Sequence, residues 1–428
     1  MCRYEVEGGA VLNLDLGSTI WLSIGAILVF LMIPAIGMLE AGLIRRKNVV
    51  NGLMKGLLAV MIFLPIWFAV YPIYYSGILV DGFYPTASDA GVPIYIYGFF
   101  IGVFGAVTLA LIYAGIPERI RFGGWVIFSI FFSALQWPLV SSWIWGGGFL
   151  SRLGDILGIA PGYGVRDFAG GTVVHAYSGI ASLAAMLAAG PTMRRAMLNG
   201  GSLISSMEEI IYKERVEMRS LNLPLAIIGT SLLFFGWFGF NGGSTVTVST
   251  QAQYALANTA IAGSLAGLVA TIISRAHKGY WDPIMAISGI IGGLVMITPL
   301  AGFVELRASY LVGILAGVIT YYGMRYVERY YIIDDPVGSL PVHGFNGIAG
   351  SALVPILSSP QIGGLAGIIY GGPLEWLATQ LVGMAIALLF VFITTYLAFH
   401  ILIKTGFRAK LEEEVAGLDI VDHGVRVE

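Results

Sequence analysis

The chain has 428 residues, of which 57% are hydrophobic and only 11% charged, against about 25% charged in an ordinary soluble domain. Its 58 glycines are about twice the usual share of roughly 7%; it has one cysteine, Cys2, and a net charge of −2. That composition excludes a soluble globular domain, a disordered chain, a coiled coil, a disulfide scaffold and a basic nucleic-acid-binding surface. What is left is an all-α membrane protein with several spans, in which abundant glycine lets helices approach closely.

A helix needs about 20 mostly apolar residues to cross the hydrocarbon core. Eleven segments meet that test in chain order: 19–43, 50–75, 97–116, 123–143, 168–190, 223–243, 253–275, 281–299, 308–325, 336–357 and 377–403. Strand periodicity is absent, so a β-barrel is not expected. Residues 1–17 are polar, without a basic n-region or cleavage signature, so no removable signal peptide is expected.

The loops assign sides. With the N-terminus outside, eighteen of the 23 lysines and arginines fall in inside loops or the C-terminal tail, and Lys55, near the inner end of the second span, makes nineteen on that side. Only Arg3, Arg152, Arg166 and Arg307 fall outside. Basic residues favour the cytoplasmic side, so the chain reads as N-out and C-in. Loop 191–222 is long and cytoplasmic in this reading. Ser206 and Glu209 have capping-box spacing before Ile210-Ile211, so a short surface helix and a solvated charged loop both fit there. The tail, 404–428, is acidic around Glu412, Glu413 and Glu414, and too polar to form a core alone.

One repeat organises the spans. Residues 167–179, DFAGGTVVHAYSG, align with residues 335–347, DPVGSLPVHGFNG, at a constant offset of 168. Five of the thirteen positions are identical: Asp167/Asp335, Gly170/Gly338, Val174/Val342, His175/His343 and Gly179/Gly347. The matches lie in the fifth and tenth spans, and spans five apart run in opposite directions. The reading is two inverted five-helix repeats, about 19–190 and about 223–357, plus an extra helix at 377–403. These make a transmembrane domain 1–403, followed by the cytoplasmic tail 404–428. Inverted repeats of this kind place transport sites near the midplane. Pro336, Pro341 and Pro355 interrupt the tenth span, and broken helices are tolerated where they are buried or line a pathway.

His175 and His343 are ionisable groups deep in apolar spans, where such groups face a bundle interior or a pathway. A two-fold relation would bring the imidazoles together. One hydrogen bond between them leaves the other ring nitrogens facing a lumen. Two histidines without a third ligand make a poor zinc site, so no metal or other cofactor is expected. Asp167 and Asp335 lie eight residues from their histidines, roughly 12 Å along a helix, and fit helix-capping positions. Trp145, before Gly146-Gly147-Gly148, fits either an interfacial belt or a ring face for a cation. Ser244, after Asn241-Gly242-Gly243, fits either local backbone bonding or acceptance of an N–H. Phe100, Phe104, Trp237 and Phe240 fit packing or a gate.

Together these stretches resemble the ammonium transporter family (Amt/Mep/Rh), its Amt branch above all. The resemblance rests on DFAGGTVVH at 167–175 and DDPVGSLPVHG at 334–344. It is extended by AGLIRRKN at 41–48, PERIRF at 117–122, WGGG at 145–148, FGWFGFNGGS at 235–244 and GLDIVDHG at 417–424. It implies eleven helices with a pseudo-two-fold, a homotrimer with one pore per subunit, and residence in the cell membrane. It also implies roles. Trp145, Ser244 and Phe104 would recruit ammonium at the outer mouth, and Phe104 and Phe240 would form a stacked gate below it. Phe100 and Trp237 would line or support the vestibule, and Asp167 would order it without touching the ion. His175 and His343 would be the twin histidines of a hydrophobic pore. A PII-type signal protein would dock on the cytoplasmic face. Leu39-Glu40 stands where the family often has an aromatic pair, and no pore role is assigned to Glu40. Gly338 stands where some relatives carry an Asp.

The implied function is recruitment of ammonium, its deprotonation and conduction of ammonia with net charge movement; methylammonium is a further candidate. The rival from another class is an ammonium sensor with little flux, which a fused kinase or cyclase domain would favour; none is expected from these 428 residues. A membrane enzyme lacks an accompanying HExxH or GxSxG motif, and an ATP-driven pump lacks a GxxxxGK[ST] loop. A neutral gas channel of the Rh kind would have little use for Trp145.

Overall fold

The structure, a computed structural model, describes residues 2–5, 11–75, 91–192, 195 and 221–426. Strands β1 (Cys2–Glu5) and β2 (Val11–Leu14) pair antiparallel ahead of the first helix. Four residues a side is too short for an alternating pattern to stand out in the sequence, and no strand was expected there.

Helix α1 (Leu16–Leu43) begins where Asp15 accepts hydrogen bonds from the Gly17 and Ser18 amides at 3.2 and 3.3 Å. Those are donors that a first turn otherwise leaves free. Helices α2 (Val49–Leu58) and α3 (Leu64–Tyr75) form one rod through a π-helical turn, Ala59–Phe63. Next comes α4 (Ile94–Tyr113). Helices α5 (Phe122–Phe131) and α6 (Trp137–Ile144) are joined through the π turn Phe132–Gln136, and a short α7 (Leu153–Leu157) follows. Helix α8 (Tyr177–Ala189) continues from the π turn Gly171–Ala176.

The second half starts with α9 (Leu223–Gly243), α10 (Thr250–Lys278), α11 (Pro283–Ile297) and α12 (Leu306–Val327). A further π turn, Leu340–Phe345, leads into α13 (Asn346–Leu357), followed by the long α14 (Glu375–Lys404). The chain ends on α15 (Leu411–Ala416) and α16 (Leu418–His423).

Among the described residues, nine rods are long and apolar enough to cross a membrane, and α11 is apolar but shorter. Each of the eleven apolar segments read from the sequence has a helical counterpart. The ends shift by up to four residues, most at 336–340, where Asp335 holds the chain in a turn before the helix begins. Ile20, Ile24 and Ile27 on α1 and Leu389, Ile393, Leu397 and Ile401 on α14 are exposed. A surface this apolar suits lipid rather than water. The protein is a multi-pass helical membrane protein.

Helices α1 and α9 touch through small residues. A methyl group at Gly42 would lie 2.6 Å from the Ala226 nitrogen, and one at Gly229 would lie 2.6 Å from the Leu39 nitrogen. Close approach of this kind replaces the hydrophobic drive that lipid removes.

The tail is tied to the helix ends. Asp419 accepts from the Val50 and Asn51 amides at 3.2 and 2.7 Å, at the start of α2. Asp422 accepts from Asn51 Nδ2 at 2.8 Å and from the Phe122 amide at 3.0 Å, at the start of α5. Carboxylates suit helix N-termini, where amides are unpaired and the dipole is positive. Arg408 donates to the Ala189 and Pro191 carbonyls and to Glu414. The Ser206–Glu209 capping box lies outside the described residues.

Candidate functional site: an aromatic and imidazole column

Two turns, related by the sequence repeat, hold the histidines. Gly170 and Gly338 have φ values of +116° and +82°. That region strains any residue with a Cβ, which accounts for glycine at both positions. The reversal lets a preceding carboxylate fold over the amides that follow. Asp167 accepts from the Gly170, Gly171, Thr172 and Val173 amides at 2.7–2.9 Å. Asp335 accepts from Gly338, Ser339 and Leu340 at 2.8–3.0 Å. Each carboxylate thus seats the π turn that carries a histidine.

The two turns sit at opposite ends of the column. Asp167 is beside Trp145, whose indole N–H donates to the Asp167 carbonyl at 2.8 Å. Asp334 is at the tail end, where its carbonyl accepts from Arg119 at 2.8 Å. Its carboxylate accepts from the Thr192 amide and hydroxyl at 2.8 and 2.7 Å. Burial works to raise the Asp334 carboxyl, but the Arg119 charge and the Thr192 donors outweigh it and hold the group below its ordinary range.

Between these ends the rings form a column. Trp145 is half-buried and stands edge-on to Phe104, centroids 5.7 Å apart at 85°. Phe104 lies over Phe240 at 4.0 Å and 31°, and Phe100 braces Phe104 edge-on at 4.8 Å. Phe240 and Trp237, one helical turn apart on α9, both lie against the His175 ring, at 5.6 and 5.1 Å. Trp237 therefore stands at the level of the histidine, below the Trp145 rim. His343 follows, with its Nδ1 3.3 Å from His175 Nδ1 and the ring planes 23° apart. His175 is fully buried and His343 is 6% exposed. His175 Nε2 is buried with no hydrogen-bond partner among the described residues.

At the Trp145 end, Ser244 is half-buried, and its hydroxyl donates to the Phe240 carbonyl at 2.8 Å. That donation fixes the hydroxyl proton and leaves the oxygen lone pairs available to an incoming N–H. At the other end His343 opens onto a narrow cavity of about 30 Å³, lined also by Glu40, Ser288 and Ser339 and by aliphatic side chains.

The rings of Trp145, Phe104, Phe240, His175 and His343 thus follow one another, with Phe100 and Trp237 packed against them and Asp167 and Ser244 bonded beside the Trp145 end. Sequence reading missed Thr298, whose hydroxyl accepts the Trp237 indole N–H at 2.9 Å while donating to the Leu294 carbonyl at 2.7 Å. It marked Glu40 as an ionisable residue near the end of the first span but gave it no role in the pore. A carboxylate in the first apolar span was the available signal.

A sequence model of the Ammonium Transporter Family matches residues 20–427. The chain belongs to the ammonium transporter family. Relatives in that family include the ammonium transporter Amt1 of Archaeoglobus fulgidus, 32% identical over 95% of this chain and 98% of its own length. The ammonium transporter of Aquifex aeolicus is 33% identical over 96% of this chain and 93% of its own length. Solved structures with the same fold include one described as a sensor Amt protein, with 27% identity and a TM-score of 0.79 over 95% of this chain and 98% of its own. Mep2 of Candida albicans has 26% identity and a TM-score of 0.77, covering 94% of this chain and 88% of its own. The homologues are named as transporters, and transporters are not enzymes.

Proposed function

We propose that this member of the family takes up ammonium at the Trp145 end, removes one proton and passes ammonia between the twin histidines, with net movement of charge. The single observation that carries the proposal is the His175–His343 contact, Nδ1 to Nδ1 at 3.3 Å, sealed from above by the Phe104–Phe240 stack.

The chemistry follows from the groups in order. The Trp145 and Phe104 ring faces attract a cation by about 0.5–2 kcal/mol. Ser244 adds an acceptor for one N–H. Potassium could use the rings but has no N–H to donate. Beyond the Phe stack the path is apolar, and a charged species is heavily penalised there. Ammonium can lose its charge by losing a proton; potassium cannot. Unpartnered imidazole nitrogen such as His175 Nε2 can then accept a hydrogen bond from ammonia or carry a proton. Asp167 seats the turn and the Trp145 ring without reaching the ion.

The proposal extends to the whole assembly. We read eleven spans in two inverted halves, α1 to α8 and α9 to α13, with α14 as the extra helix and α11 and α12 counted as spans. The Asp167 and Asp335 turns at opposite ends support that relation. The N-terminus lies outside, the tail lies in the cytoplasm and the membrane is the cell membrane. By family resemblance the unit is a homotrimer, and a PII-type protein docks on the cytoplasmic face.

A second reading, an ammonium sensor with little flux, is favoured by the likeness to a structure described as a sensor Amt protein. Rapid addition of ammonium to proteoliposomes, with potassium as control, separates the two. The transporter reading expects a saturable current with ammonium alone. Binding with neither a current nor an internal pH rise from ammonia entry would overturn it in favour of the sensor.

A further inference from the structure

We propose that Glu40 is the group through which the proton leaves the pore at the tail end; this rests on the reading of the chain as a charge-moving ammonium transporter. Glu40 sits one turn before the end of α1 and is 2% exposed. Both of its carboxyl oxygens are buried without a hydrogen-bond partner among the described residues. Every other buried acid there is engaged. Glu118 pairs with Arg45 at 2.7 Å, Glu414 with Arg408 at 2.7 Å and Asp282 with Lys278 at 2.6 Å. Asp167 and Asp419 hold backbone amides, and Asp334 holds Thr192. A carboxyl left alone in an apolar span is costly, and residues placed so mark ion or proton pathways.

Its surroundings supply the pathway. Glu40 and His343 share the wall of one narrow cavity, whose only other polar side chains among the described residues are Ser288 and Ser339. Its volume of about 30 Å³ exceeds the roughly 10–15 Å³ that one water needs. The cavity wall also includes Leu43 and Ala114, at the C-terminal ends of α1 and α4. A short water file therefore fits between the second histidine and the carboxyl, and the carboxyl is the last ionisable group on that wall.

The step balances without electron transfer. A protonated His343 gives its N–H proton to water as that water gives one of its own to the Glu40 carboxylate. The imidazolium becomes neutral imidazole and the carboxylate becomes a carboxylic acid. The acid then releases the proton to solvent at the tail end and returns to carboxylate. Ammonia passes separately as the neutral species.

The test compares native protein with Glu40→Gln and Glu40→Asp in proteoliposomes. Ammonium-evoked current is recorded beside neutral ammonia flux, read as an internal pH rise. Gln keeps the shape of Glu and removes the titratable oxygen. The expected result is a current lowered by about 100-fold in Glu40→Gln, the scale of a lost proton-transfer group, with ammonia flux retained and current partly restored in Glu40→Asp. Retained ammonia flux also shows that the variant is folded. A Glu40→Gln current within about twofold of native overturns this proposal alone. A native protein that gives no current at all overturns the charge-moving reading and this proposal together.

Discussion

Gly179 and Gly347, 168 residues apart, each press against the turn that carries the other repeat's histidine. A methyl group at Gly347 would lie 2.5 Å from the Ala176 nitrogen, next to His175. One at Gly179 would run into the backbone of Gly344, next to His343. The imidazoles meet because two backbones, not two long side chains, come into contact beside them.

Gly347→Ala is expected to force the turns apart. Overpacking of this kind costs about 1–3 kcal/mol, and the ring spacing would change with it. Thermal unfolding in detergent should fall, and ammonium current per folded protein should fall further than stability alone explains. Unchanged melting and current would mean the contact is looser than the geometry implies.

Asp167→Ala leaves four buried amides at the mouth of the His175 turn without their acceptor. Each lost partner costs about 1–3 kcal/mol before relaxation, so a loss of about 3 kcal/mol or more is expected. The Trp145 indole bond goes to the Asp167 carbonyl and survives the substitution. Melting should drop by more than for Asp335→Ala, which frees three amides in a part-buried turn. Equal melting of native and Asp167→Ala protein would contradict the capping account.

Thr298→Val keeps the shape of the side chain and removes the acceptor of the Trp237 N–H. A buried indole donor left unpaired costs about 1–3 kcal/mol. Stability should fall while preference for ammonium over potassium is retained, because the ring face against His175 is unchanged. Loss of selectivity with no loss of stability would reverse that assignment.

The Asp334 carboxyl carries a pH signature. Its folded value lies below the ordinary 3.8, since the Arg119 charge and Thr192 donors outweigh the raising effect of burial. The stabilisation is therefore present above the unfolded value and is lost as pH falls through the folded one. Native protein should lose melting temperature at acid pH more steeply than Asp334→Asn. Parallel curves would show that the carboxylate contributes nothing.

Most of this fold could be read from hydropathy, because a lipid-facing helix has few ways to look other than apolar. The two-histidine site could be read because the Asp, Gly and His of each turn recur at one spacing. The turns themselves were less legible. Apolar character begins at residue 336, but Asp335 and a left-handed Gly338 delay the helix to Leu340. Thr298 was invisible, since a threonine near the end of an apolar helix normally bonds its own backbone. Glu40 was visible as a misfit, but only the fold shows that it faces the cavity under His343.

The pairing of the histidines is the centre of the account, and removing each ring tests it most directly. Ammonium and potassium currents should be recorded in proteoliposomes holding His175→Ala or His343→Ala protein, each shown to be folded. The account expects the saturable ammonium current to disappear in both. Undiminished current that still excludes potassium, in both variants, would contradict it.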